Sequence, residues 1–249
     1  MDKQVEKVMD ACILAGKVLM ENGAEMHRVE DTMNRILAVE QGSNHAVSFV
    51  MPTGIFITSA HGSTTKMKRI TKRRQNMDRI GEINRLSRDF ASGKYTVDEL
   101  YDEIVKVENE EPDYPLWLKY ISAGAVSAAM SVIFRGPLED IFVAFIIGGV
   151  GYMLYGLLNR TLGTRFLQEL IVSFLMATIA NALFALGLVS NHDTLIIGCI
   201  IILVPGIQIM NSIRDFLSGN TISGSIFLIE AIFVACMIGA GVMTGVKFI

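Results

Sequence analysis

The sequence predicts a membrane protein with an α+β cytoplasmic N-terminal domain followed by an α-helical transmembrane domain of five helices. Two observations support this fold class. Of the 47 charged residues, 35 lie within residues 1–115, and the 134 residues that follow are mostly apolar. That apolar part is long enough for several spans, since about 20 residues cross a bilayer as a helix. We therefore expect a soluble domain at 1–112 and a transmembrane domain at 113–249.

Four helices are predicted in the soluble domain. Residues 5–20 place apolar side chains at steps of three and four, the pattern of a helix with one buried face, and residues 26–36 repeat it. The same pattern returns at 78–90. A fourth helix is expected after Thr96, because Thr96 and Glu99 have the spacing of a capping box.

A small antiparallel sheet is predicted between the second and third helices. Residues 47–51 and 55–59 alternate apolar with smaller or polar side chains, and a Pro-Thr-Gly turn at Thr53 separates them. A third strand is expected at 65–70. The predicted order of elements is αα-βββ-αα.

Five segments of the second half are apolar enough to span a membrane. We expect a multi-pass protein of the cell (plasma) membrane with its N-terminus inside and its C-terminus outside, because Arg residues favour the inner loops and the charged domain precedes the spans. The predicted spans are approximately 116–134, 140–158, 166–188, 194–213 and 223–247.

Small residues form stripes on two of these spans, which suggests close packing between helices. Ala123, Ser127 and Ser131 follow one another at intervals of four, as do Gly241 and Gly245. We expect a partner protein to cover these stripes.

The fourth span contains a helix break followed by polar side chains. Pro205-Gly206 interrupts the helical hydrogen bonding, and broken helices of this kind form substrate sites in transporters. The alternative is a simple kink with an Arg-Asp pair at the membrane interface. The candidate substrate-binding residues are Pro205, Gly206, Gln208, Asn211, Arg214 and Asp215.

Two acidic residues lie within predicted spans. Glu230 has apolar neighbours on both sides, and an acid at the centre of a span costs about 2.5–3.5 kcal/mol to insert. It is the candidate proton-coupling residue, with an interfacial hydrogen bond as the alternative. Glu169 follows Arg165 by four residues, so an ion pair at a helix end is the preferred interpretation.

Several classes of function are disfavoured. The net charge of −3 is too small to indicate nucleic acid as a partner. The sequence contains no P-loop, dinucleotide fingerprint or nucleophile elbow, and its four histidines lack metal-ligand spacing, so we predict no enzyme activity, cofactor or metal. A basic run at 66–74 is interpreted as a solvated surface near lipid headgroups.

Spaced motifs lie along most of the chain. In the soluble domain they are Gly23-Ala-Glu-Met-His-Arg-Val-Glu30, Pro52-Thr-Gly54 and Ile83-Asn-Arg-Leu86. In the membrane domain they are Pro205-Gly206, Asn211, Arg214-Asp215, Gly219, Ser223-Gly224 and Glu230-Ala231. Together these motifs resemble the threonine/serine exporter family.

The resemblance implies the larger subunit of the family's two-chain form. The expected function is secondary-active, proton-coupled export of small hydrophilic amino acids or carboxylates such as threonine, serine or succinate. The expected partners are a smaller membrane subunit that completes the exporter, membrane lipid, the small-molecule substrate and further copies of the assembly.

Two rival functions place the chemistry in the soluble domain. One is a membrane-anchored enzyme that hydrolyses a metabolite, and the other is a ligand sensor. For both, the candidate pocket residues are His27, Arg28, Glu30 and Thr53.

Overall fold

A computed structural model describes residues 3–41, 47–58, 64–71, 74–110, 114–161 and 166–248. The chain forms two compact units. Unit 1 contains Met1–Glu111 and Met210–Phe227, and unit 2 contains Pro112–Ile209 and Leu228–Ile249. A later segment of the chain thus joins the N-terminal part. The boundary at residue 112 between a cytoplasmic domain and a transmembrane domain stays a prediction.

Unit 1 contains the seven N-terminal elements in the predicted order. The three strands form one antiparallel sheet in the order β1-β2-β3, with Phe56 paired with Phe49 on one side and with Met67 on the other. The elements are α1 (Lys3–Glu21), α2 (Met26–Gln41), β1 (Val47–Met51), β2 (Gly54–Thr58), β3 (Thr65–Arg69), α3 (Met77–Ala91) and α4 (Val97–Asn109).

The core of unit 1 is built from large apolar side chains. Met9, Met33, Ile55 and Leu100 are fully buried and come from α1, α2, β2 and α4. The predicted capping box at the start of α4 is present: the Thr96 hydroxyl accepts the backbone N–H of Glu99 at 3.3 Å, and the Glu99 carboxylate accepts that of Thr96 at 2.8 Å.

Four of the later helices are long and apolar enough to cross a membrane, and a bent helix pair raises the number to five if it counts as one span. The long helices are α5 (Leu116–Ile133), α6 (Ile141–Thr161, which a 3₁₀ turn precedes), α7 (Leu167–Ala185) and α10 (Thr221–Lys247). The bent pair is α8 (His192–Ile200, with a 3₁₀ turn to Leu203) and α9 (Gly206–Leu217), at 59° to one another.

The small-residue stripes pack within the chain, so the expectation that a partner covers them is wrong. Ser127 and Ser131 of α5 are fully buried. A Cβ atom on Gly198 of α8 would lie 2.8 Å from the backbone of Ser131, and one on Gly245 of α10 would lie 2.6 Å from the Phe174 carbonyl. The helices of unit 2 pack against each other at these positions, as small residues permit.

Candidate functional site

The C-terminal half of α9 lies in unit 1 and carries the polar residues predicted there. The helix begins where Pro205 cannot continue the preceding turn, and the Pro205 carbonyl accepts the N–H of Ile209 at 3.1 Å. It ends at Leu217, and Gly219, whose φ of +83° permits a left-handed cap, follows; the Asn220 N–H closes the last turn on the Asp215 carbonyl at 2.8 Å.

The facing part of the site is the turn between α1 and α2. Gly23 has a φ of +90°, which suits a residue without a Cβ, and it reverses the chain directly after α1. Glu25 follows at the N-terminal end of α2, where its carbonyl accepts the N–H of Val29 at 3.1 Å. The backbone N–H of Met26, the first residue of α2, points to the Asp215 carboxylate of α9.

Three contacts join α9 to this turn. The Asn211 side-chain amide donates to the Gly23 carbonyl at 3.1 Å, and the Asp215 carboxylate accepts the backbone N–H of Met26 at 3.3 Å. Arg214 forms an ion pair with Glu25. A carboxylate at a helix N-terminus and an arginine on a carboxylate are both favourable pairings, so these contacts fix the end of α9 on α2.

The side chains of this site differ in their exposure to solvent, and this difference determines which of them a ligand can reach. The Arg214 side chain is half exposed, whereas the Glu25 side chain is 11% exposed and Asp215 is fully buried. The second carboxylate oxygen of Asp215 has no hydrogen-bond partner within the described part of the chain. His27 Nε2 lies 3.5 Å from the other Glu25 oxygen, at the exposed side of the cluster. A solute could therefore reach the guanidinium of Arg214 more easily than Asp215.

The structure brings together parts of two residue sets that the sequence kept apart. Asn211, Arg214 and Asp215 were predicted as substrate-binding residues, and His27 as part of a separate pocket; all four lie around Glu25. Sequence reasoning missed Glu25, although it lies inside the motif at 23–30.

The other predicted pocket residues take part less directly in this cluster: the Arg28 backbone N–H donates to the Glu25 carbonyl at 3.1 Å, and the charge of Glu30 acts on Asp215. Arg28 is exposed, and the Glu30 carboxylate accepts the N–H of Val50 on β1 at 3.4 Å. Thr53 lies in the turn between β1 and β2, where its carbonyl accepts the N–H of Ile70 at 3.0 Å. The structure does not gather these three side chains around one point.

The remaining predicted site residues belong to unit 2. Pro205 is buried, Gly206 is exposed, Gln208 is partly buried and Glu230 is partly buried on α10. At the break between the helices, the Val204 carbonyl accepts the N–H of Gly206 at 2.8 Å, and the Pro205 carbonyl accepts that of Ile209. Arg165, the expected partner of Glu169, and the basic residues Lys72 and Arg73 lie outside the described residues.

Comparisons with known proteins concern the whole chain. The family model described as "Putative threonine/serine exporter" matches residues 10–249. The chain is 23% identical to the "Probable threonine/serine exporter" of Mycobacterium tuberculosis, over 99% of the chain and 47% of that protein. It is also 23% identical to the "Threonine/serine exporter" of Corynebacterium glutamicum, over 98% and 52%.

A shorter relative matches along most of both chains. The chain is 22% identical to the "Probable succinate transporter subunit YjjP" of Escherichia coli, over 89% of the chain and 87% of that protein. It therefore spans about half the length of the two exporters named above and nearly the whole of this subunit. No solved structure matches the chain at a significant level.

Proposed function

The chain belongs to the threonine/serine exporter family, and on that premise we propose that it is one subunit of a secondary-active exporter of small amino or carboxylic acids. Membership of an exporter family, together with several helices long and apolar enough to cross a membrane, supports a multi-pass membrane protein that acts in transport rather than as an enzyme. The substrate and the coupling ion belong to the proposal.

The observation that carries the proposal is the pairing of Arg214 with a carboxylate. In the structure the Glu25 carboxylate pairs with the guanidinium of Arg214, which supports the view that Arg214 is placed to bind a carboxylate. Threonine, serine and succinate all present such a group. In the proposed cycle the substrate carboxylate replaces Glu25 on Arg214, while the Asn211 amide supplies a second, orienting hydrogen bond. Pro205, Gly206 and Gln208 shape the beginning of the same helix.

Transport against a gradient requires a coupling step, for which we propose Glu230. A carboxyl group within an apolar span can be neutral or charged, and that change in charge is what a proton-coupled carrier needs. Glu230→Gln keeps the shape of the side chain and fixes it neutral, so we expect export driven by a pH gradient to be lost. Normal gradient-driven export by this variant would place the coupling group elsewhere.

We also propose that a smaller membrane protein completes the exporter. The chain is about half as long as the two exporter relatives, while a relative of nearly its own length is named as a subunit. In the proposed arrangement residues 1–112 are cytoplasmic and the C-terminus is outside, in the plasma membrane. In this proposal a second subunit, or further copies of this chain, completes the transport site, since transporter sites commonly lie between two repeats.

Counterflow in vesicles tests the substrate site. Vesicles containing the chain and its candidate partner are loaded with unlabelled threonine, serine or succinate, and the entry of labelled substrate is measured. Arg214→Gln should weaken substrate binding about 10- to 100-fold, as expected for loss of a charge-assisted hydrogen bond.

Arg85→Gln is the matched control, because Arg85 also pairs with a glutamate but lies on the exposed face of α3. It should leave counterflow unchanged. Wild-type counterflow by Arg214→Gln would remove Arg214 from the site, and full transport by the chain reconstituted alone would contradict the two-subunit proposal.

A further inference from the structure

We propose that Glu169, held by Tyr155 and Gln168, is a proton-binding site within unit 2. The inference extends the proposed function, because it gives the exporter a second acidic group besides Glu230. The end-of-helix ion pair with Arg165 that the sequence favours involves a residue outside the described ranges and stays a prediction.

The geometry of the cluster holds one oxygen of Glu169 and leaves the other open. The Tyr155 hydroxyl, on α6, donates to Glu169 Oε1 at 3.3 Å. The Gln168 amide nitrogen lies 3.4 Å from the same oxygen and 3.3 Å from the Tyr155 hydroxyl. Glu169 is 7% exposed, and its Oε2 has no hydrogen-bond partner in the described ranges. The hydrogen bonds on Oε1 therefore fix the orientation of the Glu169 carboxyl group, while Oε2 is an acceptor to which no described residue donates.

Asp140 shows what a purely structural acid looks like in the same unit. It is 2% exposed, and its two oxygens accept the backbone N–H groups of Ser190 and Asn191 at 3.0–3.2 Å. Every charge-bearing oxygen of Asp140 is thus satisfied, which is the usual condition for a buried carboxylate. Glu169 lacks this on Oε2, although it lies in the first turn of a membrane-spanning helix.

A proton is the ligand that fits one open oxygen. An ionised carboxylate with an unpaired buried oxygen is costly, and a single proton on Oε2 removes the charge. Metal ions need several ligands, and the part of the chain that the structure describes holds no group of three His, Cys, Asp or Glu side chains that could bind one. Binding at Oε2 leaves Oε1 as the carbonyl oxygen, which still accepts from Tyr155.

The charged and titratable groups around α7 are arranged unequally along it. At its far end, His192 of α8 packs on Phe184 at 4.6 Å between ring centroids, and Lys247 of α10 follows Val246, whose carbonyl accepts from Asn181 at 3.0 Å. Near the start of α7, Phe233 of α10 packs on Phe166, with 5.8 Å between the ring centroids. The helices that pack near the start of α7 carry further ionisable groups among the described residues. On α10 this is Glu230, one turn before Phe233, and on α6 they are Tyr152, Tyr155 and Arg160. Helix α8 carries Asp193 and Cys199.

Infrared difference spectroscopy of the full chain in detergent tests the site without any transport measurement. Acid-minus-alkaline spectra should contain the C=O band of a buried protonated carboxyl group, and Glu169→Gln should remove that band. Tyr155→Phe should keep the band but raise its frequency, because the C=O group loses one of its two hydrogen bonds and keeps only the one from Gln168. This second variant tests the geometry even if Glu169→Gln fails to fold.

Glu139→Gln is the control, because Glu139 is an exposed acid of the same unit and its loss should leave the buried band unchanged. A band that persists in Glu169→Gln, or one that Tyr155→Phe does not shift, would overturn the proposal. In vesicles, Glu169→Gln should retain counterflow and lose accumulation driven by a pH gradient; gradient-driven accumulation at the wild-type level would also overturn it. If neither the wild-type chain nor any variant transports substrate, but the infrared band is lost in Glu169→Gln, the proposed function is wrong and the proton site at Glu169 is still supported.

Discussion

Unit 1 and unit 2 bury their helices in different ways. The centre of unit 1 is filled by long side chains such as Met9 and Leu100. Unit 2 also buries the large side chain of Leu195 completely, but it does so beside fully buried small residues such as Ala144 and Ala177. In water, burial of a large apolar side chain contributes about 1.5–3 kcal/mol, but lipid is as apolar as leucine and gives no such gain. The comparison teaches that unit 2 depends on close approach of its helices in addition to side-chain volume.

The largest effect should come from shortening a core side chain of unit 1. Ile55→Ala removes buried carbon atoms at a position that is fully enclosed, and we expect a loss of about 2–5 kcal/mol in the free energy of unfolding. Amide hydrogen exchange of the full chain in mild detergent, measured against denaturant concentration, gives this value for unit 1.

Val47→Ala, on the same sheet but 70% exposed, is the control and should cost about 0.5 kcal/mol or less. Equal effects of the two substitutions would contradict the assignment of Ile55 to the core.

In unit 2 the opposite change, from small to larger, should be the harmful one. A Cβ atom on Gly198 would lie 2.8 Å from the Cα and N atoms of Ser131, and backbone cannot rotate away as a side chain can. We expect Gly198→Ala to cost about 1–3 kcal/mol, measured as thermal stability in detergent.

Gly156→Ala tests the same substitution where the structure has open space, since no described atom lies within 4 Å of the added Cβ. It should be tolerated. If Gly198→Ala is tolerated equally well, close packing of α8 on α5 is not what stabilises unit 2.

A smaller effect is expected at the surface of unit 1, where neither kind of packing applies. Thr96→Ala removes the capping hydroxyl of α4 and should cost about 1 kcal/mol, with Thr96→Ser nearly neutral. Hydrogen bonds to the Glu99 carboxylate hold the pKa of Glu99 below its ordinary value. The larger effect comes from the Thr96 backbone N–H and the smaller one from the Thr96 hydroxyl. Loss of the hydroxyl should therefore raise the pKa of Glu99, which NMR titration can follow; an unchanged pKa would show that the hydroxyl is not a donor.

Local sequence signals predicted the elements whose cause is local. The capping box at Thr96, the turn at Thr53 and the helix break at Pro205 each depend on neighbouring residues, and each is in the structure where the sequence indicated. The period of the apolar residues likewise predicted the first three helices and the first two strands of the N-terminal part.

Contacts between distant parts of the chain could not be predicted in this way. Glu25 and Arg214 are 189 residues apart, and neither sequence neighbourhood names the other as its partner. The small-residue stripe at Ser127 shows that another helix must approach closely, but not whether that helix belongs to the same chain. Glu169 was assigned to Arg165 by spacing alone, whereas Tyr155 reaches it from another helix.

The placement of Met210–Phe227 in unit 1 has a consequence for the timing of biosynthesis. The hydrogen bond from Met26 to Asp215 also joins residues 189 positions apart, so the N-terminus of α2 has no cap until that much more chain has been made. At 5–20 residues per second the delay is about 10–40 s. Within that interval α5 to α8 are synthesised while unit 1 still lacks its last segment, so unit 1 can be completed only after these helices have been made.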